Sequence, residues 1–260
     1  MLDDARHTRE YWDARAQPYL EDQNAWRAVG PVGESTAVAR MVLRTETAGV
    51  NLVAAALPRG RVIEVGCGYG RWFPKTAVGR TLVGADFAPS LVSLAKQTSA
   101  VPVMVSDARH VAARSGGFDA AYTVKVLQMA PQADRPAAVA ELFRLVRPGG
   151  VVALFEKLSG DDGSPAEAWV RWGEQAGGRL IDWHGNHFMV VDRSATAAVR
   201  QLRRRRAKTS KAAGPPTTQP GSPSIRVALV GLSLAVEPIA SRVLPKAAAT
   251  HGVFVFCSER

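Results

Sequence analysis

A chain of 260 residues with 47% apolar and 22% charged side chains can bury a substantial core, and its composition excludes a disordered polymer. Its formal charge of +10 is local: Arg200, Arg203, Arg204, Arg205, Arg206, Lys208 and Lys211 lie together without an acid, and removing these seven takes +10 to +3, so the basicity belongs to one segment. No apolar run of about 18 residues could span a bilayer, the polar MLDDARHTREYW start has no signal-peptide stretch, and Cys67 and Cys257 stand in no disulfide or zinc spacing. A reducing, cytoplasmic setting without a metal is expected.

Met1 to about Val29 interleaves Tyr11, Trp12, Tyr19 and Trp26 with polar residues, which predicts one or two short helices. Ser35 is placed to cap a helix running to Leu57, where Pro58 helps stop it. Strand-like runs follow at 61–65, 81–86, 101–107, 118–124 and 151–156, with helical patterns at 89–98, 131–147 and 164–176 between them. Valine-rich strands alternating with helices predict βαβ units on a parallel sheet. Pro89 suits the first turn of its helix, and Pro148-Gly149-Gly150 predicts a turn ahead of the fifth strand. A sixth strand is expected in RLIDWHGNHFMVV (179–191) and a seventh in HGVFVF (251–256). Between them, the Pro-, Ser-, Thr- and Gly-rich 208–224 is too polar to bury and predicts a mobile linker, and 225–245 is long enough for a helix.

Three features carry chemistry. Directly after the first strand comes Glu64-Val65-Gly66-Cys67-Gly68-Tyr69-Gly70, whose alternate glycines let the backbone turn tightly and approach a ligand closely. Asp86 ends the second strand 22 residues after Glu64, where an acid can accept from both hydroxyls of a ribose, and Phe87 beside it could lie against a base. Asp107 ends the third strand, placed to accept from an exocyclic amine. Each alone could be a tight turn or a helix cap; their order at successive strand ends points to a nucleotide-like ligand.

EVGCGYG, GADFAPS, SDA, FDAAYTVKVLQMA and ELFRLVRPGG, covering about residues 61–157, resemble the ordered motifs of class I S-adenosylmethionine-dependent methyltransferases, and within them the small-molecule group. The resemblance implies an α/β, doubly wound, Rossmann-like fold with a seven-stranded, mostly parallel sheet and an antiparallel last strand. It also implies a helical lid over 1–58 and a cofactor domain over 59–260, the latter carrying a mobile basic, Pro-rich insertion at about 200–224. By the same resemblance Gly66 and Gly68 line the methionine end of S-adenosylmethionine, Asp86 takes the ribose, and Phe87, Asp107 and Ala108 hold the adenine. Glu64, Cys67 and Lys125 complete the contact set, and Tyr11, Trp12 and Arg15 close the site. A dinucleotide dehydrogenase would show GxGxxG, whereas this loop reads GxGxG after an acid.

Family logic puts the acceptor near the end of strand four, around Lys125, Gln128 and Met129; a frequent pattern has histidine where this chain has Met129. His184 and His187 are the other candidate bases, with Asp182 and Asp192 as partners if the backbone turns them inward. A small-molecule acceptor methylated at oxygen or nitrogen is expected, by a monomer or homodimer, with neither nucleic acid nor membrane as partner. Two alternatives stand beside it: an RNA or protein methyltransferase using the basic 200–211 segment, which lacks interleaved aromatics for base stacking, and a cofactor-binding but inactive partner protein.

Overall fold

In the computed structural model the described residues are 8–20, 26–29, 36–159, 163–186 and 223–260. Two short helices, α1 (Arg9–Ala16) and α2 (Trp26–Val29), precede the long α3 (Thr36–Ala56). The alternating part comprises β1 (Gly60–Val65), α4 (Phe73–Thr76), β2 (Arg80–Asp86), α5 (Pro89–Thr98), β3 (Val103–Val105), β4 (Phe118–Val124), α6 (Arg135–Leu145) and β5 (Val146–Lys157). It ends with α7 (Ala166–Gln175), β6 (Gly178–Asn186), α8 (Pro223–Val243) and β7 (His251–Ser258). Ser35, His187, Asp192 and residues 200–222 of the basic, Pro-rich stretch expected at about 200–224 lie outside the described residues; Pro223 and Ser224, expected in the linker, open α8.

The seven strands form one sheet in the order β3-β2-β1-β4-β5-β7-β6. β1 to β5 run parallel, and β7 is antiparallel to both β5 and β6, as the fold class requires. Burial on both faces explains the continuous Val/Ile/Leu runs of the central strands. One face packs Val62, Leu82, Ala120 and Phe155 against Val50 and Val53 of α3 and Leu57 just after it; the other packs Ile63, Ala121 and Leu154 against Leu142 of α6 and Trp169 of α7. Arg80, first residue of β2, donates to the carbonyls of Ala54, Leu57 and Pro58 at 2.7–3.0 Å. These are the orphan acceptors at the C-terminus of α3, so one cation both caps the helix and fixes it to the sheet.

Two boundaries differ from the sequence expectation. The Pro148-Gly149-Gly150 turn sits inside β5, which starts at Val146: pairing jumps from Phe118↔Val146 to Ala120↔Val151, so these residues bulge out of an otherwise continuous strand. Gly149 has φ +74°, and a Cβ on Gly150 would fall 2.3 Å from a Val146 methyl, so the bulge needs both glycines. β3 is shorter than 101–107, pairing only through Val103–Val105 at the sheet edge.

Strand order reverses between β1 and β4. Their carboxyl ends therefore diverge and leave a crevice, the place where an open α/β sheet binds ligands.

Candidate active site

A cavity of about 750 Å³ occupies this crevice. Its floor is the loop after β1. The amides of Gly66 and Cys67 donate to the Ala85 carbonyl at 2.7 and 3.0 Å, Gly68 donates to Asp86 Oδ2 at 2.8 Å, and Ala88 donates to Asp86 Oδ1 at 3.0 Å. The loop is thus tied to β2 through one buried carboxylate. Gly66 (φ +77°) could not be replaced without conflict, because a Cβ there would meet Val126 side-chain carbons at 2.3–2.8 Å. Burial raises the Asp86 carboxyl to about 6 despite the backbone N–H donors that favour its charge.

Glu64 is fully enclosed, and desolvation lifts its carboxyl to about 8. Tyr122 Oη lies 2.6 Å from Glu64 Oε2 and 2.7 Å from Thr76 Oγ1, and the Thr76 hydroxyl donates to the Trp72 carbonyl at 3.0 Å. With Glu64 protonated, it donates to Tyr122, Tyr122 donates to Thr76 and Thr76 to the Trp72 carbonyl; ionised Glu64 would leave the Tyr122–Thr76 contact without a proton. An ordinary glutamate ionises near 4.5, so between there and about 8 the folded state holds one more proton than the unfolded chain. Stability is therefore greatest below the lower value and falls as pH rises toward the upper, by up to about 1.4 kcal/mol per pH unit. Asp86 adds the same sign up to about 6. Glu64→Gln is expected to flatten the fall at the upper end, checked by urea midpoints at about pH 5, 6.5 and 8; an unaltered slope in the variant would refute the assignment.

The roof is N-terminal. Trp12 and Thr8 line the cavity, and Asp13 Oδ1 accepts from the Ser90 amide at 2.8 Å, supplying the cap that Ala88 cannot give α5. Tyr11 packs edge-on against Trp12 at 5.3 Å and Arg15 lies 5.4 Å from the Trp12 ring, so these two back the roof rather than line it. Trp12 and Phe87 pack on the same apolar cluster with Leu91.

Of the residues singled out in the sequence, Trp12, Glu64, Gly66, Cys67, Gly68, Asp86, Phe87, Asp107, Ala108, Lys125 and Met129 come together around this cavity. Asp107 differs from expectation in one respect: Arg109 already holds it, Nη2 to Oδ2 at 2.7 Å and Nε to Oδ1 at 3.0 Å, while Nη1 reaches Asp134 at 2.8 Å. These bonds hold the Asp107 carboxyl below its usual range, and an adenine amine would share it with Arg109. His184 does not reach the cavity. It lies on β6 at the far edge of the sheet, its Nε2 2.7 Å from Asp182, both well exposed. Gln128 is buried beneath the loop rather than lining the cavity.

Sequence reasoning missed Glu46 and Arg71. Glu46, 3% exposed on α3, accepts from Arg71 at 2.8 Å and pairs with the Lys125 ammonium. A carboxylate among the apolar positions of α3 was the available signal; its partners lie 25 and 79 residues away.

The carboxylates at the strand ends suit the hydroxyls and amine of an adenosine, and the glycine loop suits a ligand approaching the backbone. Residues 62–150 match a family described as the methyltransferase domain. A malonyl-[acyl-carrier protein] O-methyltransferase of Serratia marcescens is 32% identical over 145 residues, 54% of this chain and 52% of that protein. A tRNA (carboxymethyluridine(34)-5-O)-methyltransferase of Xenopus tropicalis is 34% identical over 105 residues, 39% of this chain and 16% of that one. The chain thus spans about half or less of these curated relatives. Among solved structures, that of a putative sarcosine dimethylglycine methyltransferase from Galdieria sulphuraria superposes with TM-score 0.57 at 14% identity, over 95% of this chain and 99% of that one, a likeness of fold. The family match begins in β1 and ends at the start of β5, so the segment that builds the crevice is the one that matches a methyltransferase domain, a family that uses S-adenosylmethionine.

Proposed function

We propose that the chain transfers the methyl group of S-adenosylmethionine to an oxygen or nitrogen atom of a small molecule. The observation that carries this is one continuous cavity running from Asp86 and the glycine loop, which suit the nucleoside, to Lys125, Met129 and Glu46 beyond the end of β4. A second molecule entering at that end meets the first at the switch point. Both curated relatives are named O-methyltransferases, which favours oxygen. In this reading Gly66 and Gly68 hold the methionine end, Asp86 the ribose, Phe87, Asp107 and Ala108 the base; α1 forms a lid whose Trp12 closes the roof, whereas α3, expected with it, packs on the sheet face.

When bound, the cofactor supplies an electrophilic methyl group on a cationic sulfur. The protein's residues contribute position: the loop of Gly66 to Gly68 and the loop of Lys125 to Met129 set the two reactants against each other, which alone accounts for several orders of magnitude in rate.

The test is transfer of labelled methyl from S-adenosylmethionine into a fractionated cell extract. Label in the low-molecular-weight fraction is the expected result. The Xenopus relative's tRNA and the Serratia relative's acyl carrier protein supply the second reading, a macromolecule-borne acceptor. Label confined to ribonuclease-sensitive or protein material would establish it instead.

A further inference from the structure

We propose that the acceptor presents a carboxylate, that Lys125 binds it, and that the methyl group is placed on a carboxylate oxygen. This rests on the methyl-transfer reading and narrows its substrate class.

Lys125 is held in an unusual way. Among the described residues it is the one non-glycine with a left-handed backbone, φ 60°, a conformation that costs an L-residue about 1–2 kcal/mol. Such a conformation persists only where the surroundings over-determine it. They do so here: the Lys125 amide donates to the Phe155 carbonyl at 2.7 Å, and the next three amides donate to Glu156 at 3.1–3.2 Å. The side chain is then brought to the cavity wall, where its ammonium pairs with one oxygen of Glu46 while Arg71 takes the other. Arg71 itself lies over Trp72, its Cζ 4.2 Å from the ring centroid.

One buried anion between two cations leaves a net positive charge on this wall, and burial favours the neutral form of the neighbouring Glu64. The other end of the cavity has the opposite sign, with Asp86, Asp107 and Asp134 against Arg109 alone. A cavity polarised in this way draws an anionic group to the Lys125 end. Val124 and Val126, the chain neighbours of Lys125, also line the cavity, so the anion sheds water as it enters. The reaction of a carboxylate with a sulfonium cancels both charges, and loss of water favours it.

A carboxylate also fits the groups present. It is ionised at neutral pH and needs no general base, and among the described residues lining the cavity there is no histidine. One carboxylate oxygen forms the new bond to the methyl carbon, the sulfur–methyl bond breaks, and its electron pair stays on sulfur. No proton is released. The products are a methyl ester and the neutral thioether.

Lys125 acts in binding, so Lys125→Met is expected to raise the acceptor KM about 10- to 100-fold with kcat little changed, the effect of losing one charged hydrogen bond. Lys125→Arg should recover part of it. Affinity for S-adenosylhomocysteine, measured by calorimetry, should stay within about threefold of the parent chain; a loss beyond about tenfold would assign the cation to the cofactor's own carboxylate and overturn the proposal. The direct test is chemical. Label transferred to the small-molecule fraction is treated with mild alkali, which hydrolyses a methyl ester to volatile methanol but leaves methyl ethers and methylamines intact. Volatile label is the expected outcome. Alkali-stable label would sink the carboxylate while leaving methyl transfer standing. No label from a chain that still binds S-adenosylhomocysteine would overturn the methyl-transfer reading and this inference with it.

Discussion

Asp86→Ala is expected to weaken S-adenosylhomocysteine binding by at least about 100-fold, the largest loss of cofactor affinity that a single side chain of this site should give. Two effects add. The carboxylate would accept from ribose hydroxyls, and charged hydrogen bonds of this kind contribute about 1.5–3 kcal/mol each, where 1.4 kcal/mol is tenfold in affinity. The same carboxylate holds the Gly68 and Ala88 amides, so its removal leaves two buried donors unpaired and releases the glycine loop from β2. Asp86→Asn should fall between, because an amide can accept with one oxygen but turns an N–H toward one of those two donors. The parent chain should also lose affinity below about pH 6, where Asp86 takes up its proton and can no longer accept with both oxygens. Calorimetric titration of the folded variants decides the matter. An alanine variant that keeps its melting transition and binds within about threefold of the parent would remove Asp86 from the cofactor site.

How legible this was depends on the range of the interactions. The glycine loop and Asp86 could be read because a strand end, a tight turn and an acid follow one another within a short stretch, and the backbone alone brings them together. β4 and β5 could be read from apolar runs, but the start of β5 could not. Pro148-Gly149-Gly150 has the composition of a turn, and only pairing with β4 reveals that it is a bulge within a strand. Asp107 was found by position, while its occupation by Arg109 depends on a side chain reaching two residues back. Glu46 was invisible for the opposite reason. Its role comes from α3 crossing the sheet and setting it beside residues from two other elements, which no local pattern encodes. His184 was singled out for its chemistry, yet β6 is separated from the crevice by β7 and β5, so an attractive residue type sat on the wrong strand.

The loop that forms the acceptor end of the cavity hangs on a residue outside it, and Glu156→Ala is expected to show this with a stability loss of about 3–5 kcal/mol. Glu156, fully buried on β5, accepts from Thr123 Oγ1 at 2.9 Å and from the amides of Val126, Leu127 and Gln128. From the other side buried Arg135 donates to the Gln128 and Ala130 carbonyls at 2.9 and 3.2 Å. The segment that carries Lys125 and Met129 is therefore clamped by an anion on its N–H groups and a cation on its C=O groups. Burial pushes the Glu156 carboxyl up, but the four donors it satisfies favour the charge, and alanine would leave all four without an acceptor. Glu156→Gln keeps the volume and one acceptor oxygen, and should lose less. Because a displacement of about 1 Å can cost about 100-fold in rate, the alanine variant should lose activity well beyond its change in cofactor affinity. Hydrogen exchange locates the effect: the amides of Val126 to Gln128 should exchange faster than those of β1 and β2, at the edge of a melting transition lowered by several degrees. A transition lowered by less than about 2 °C, with those three amides still protected, would show that the loop holds its shape without Glu156.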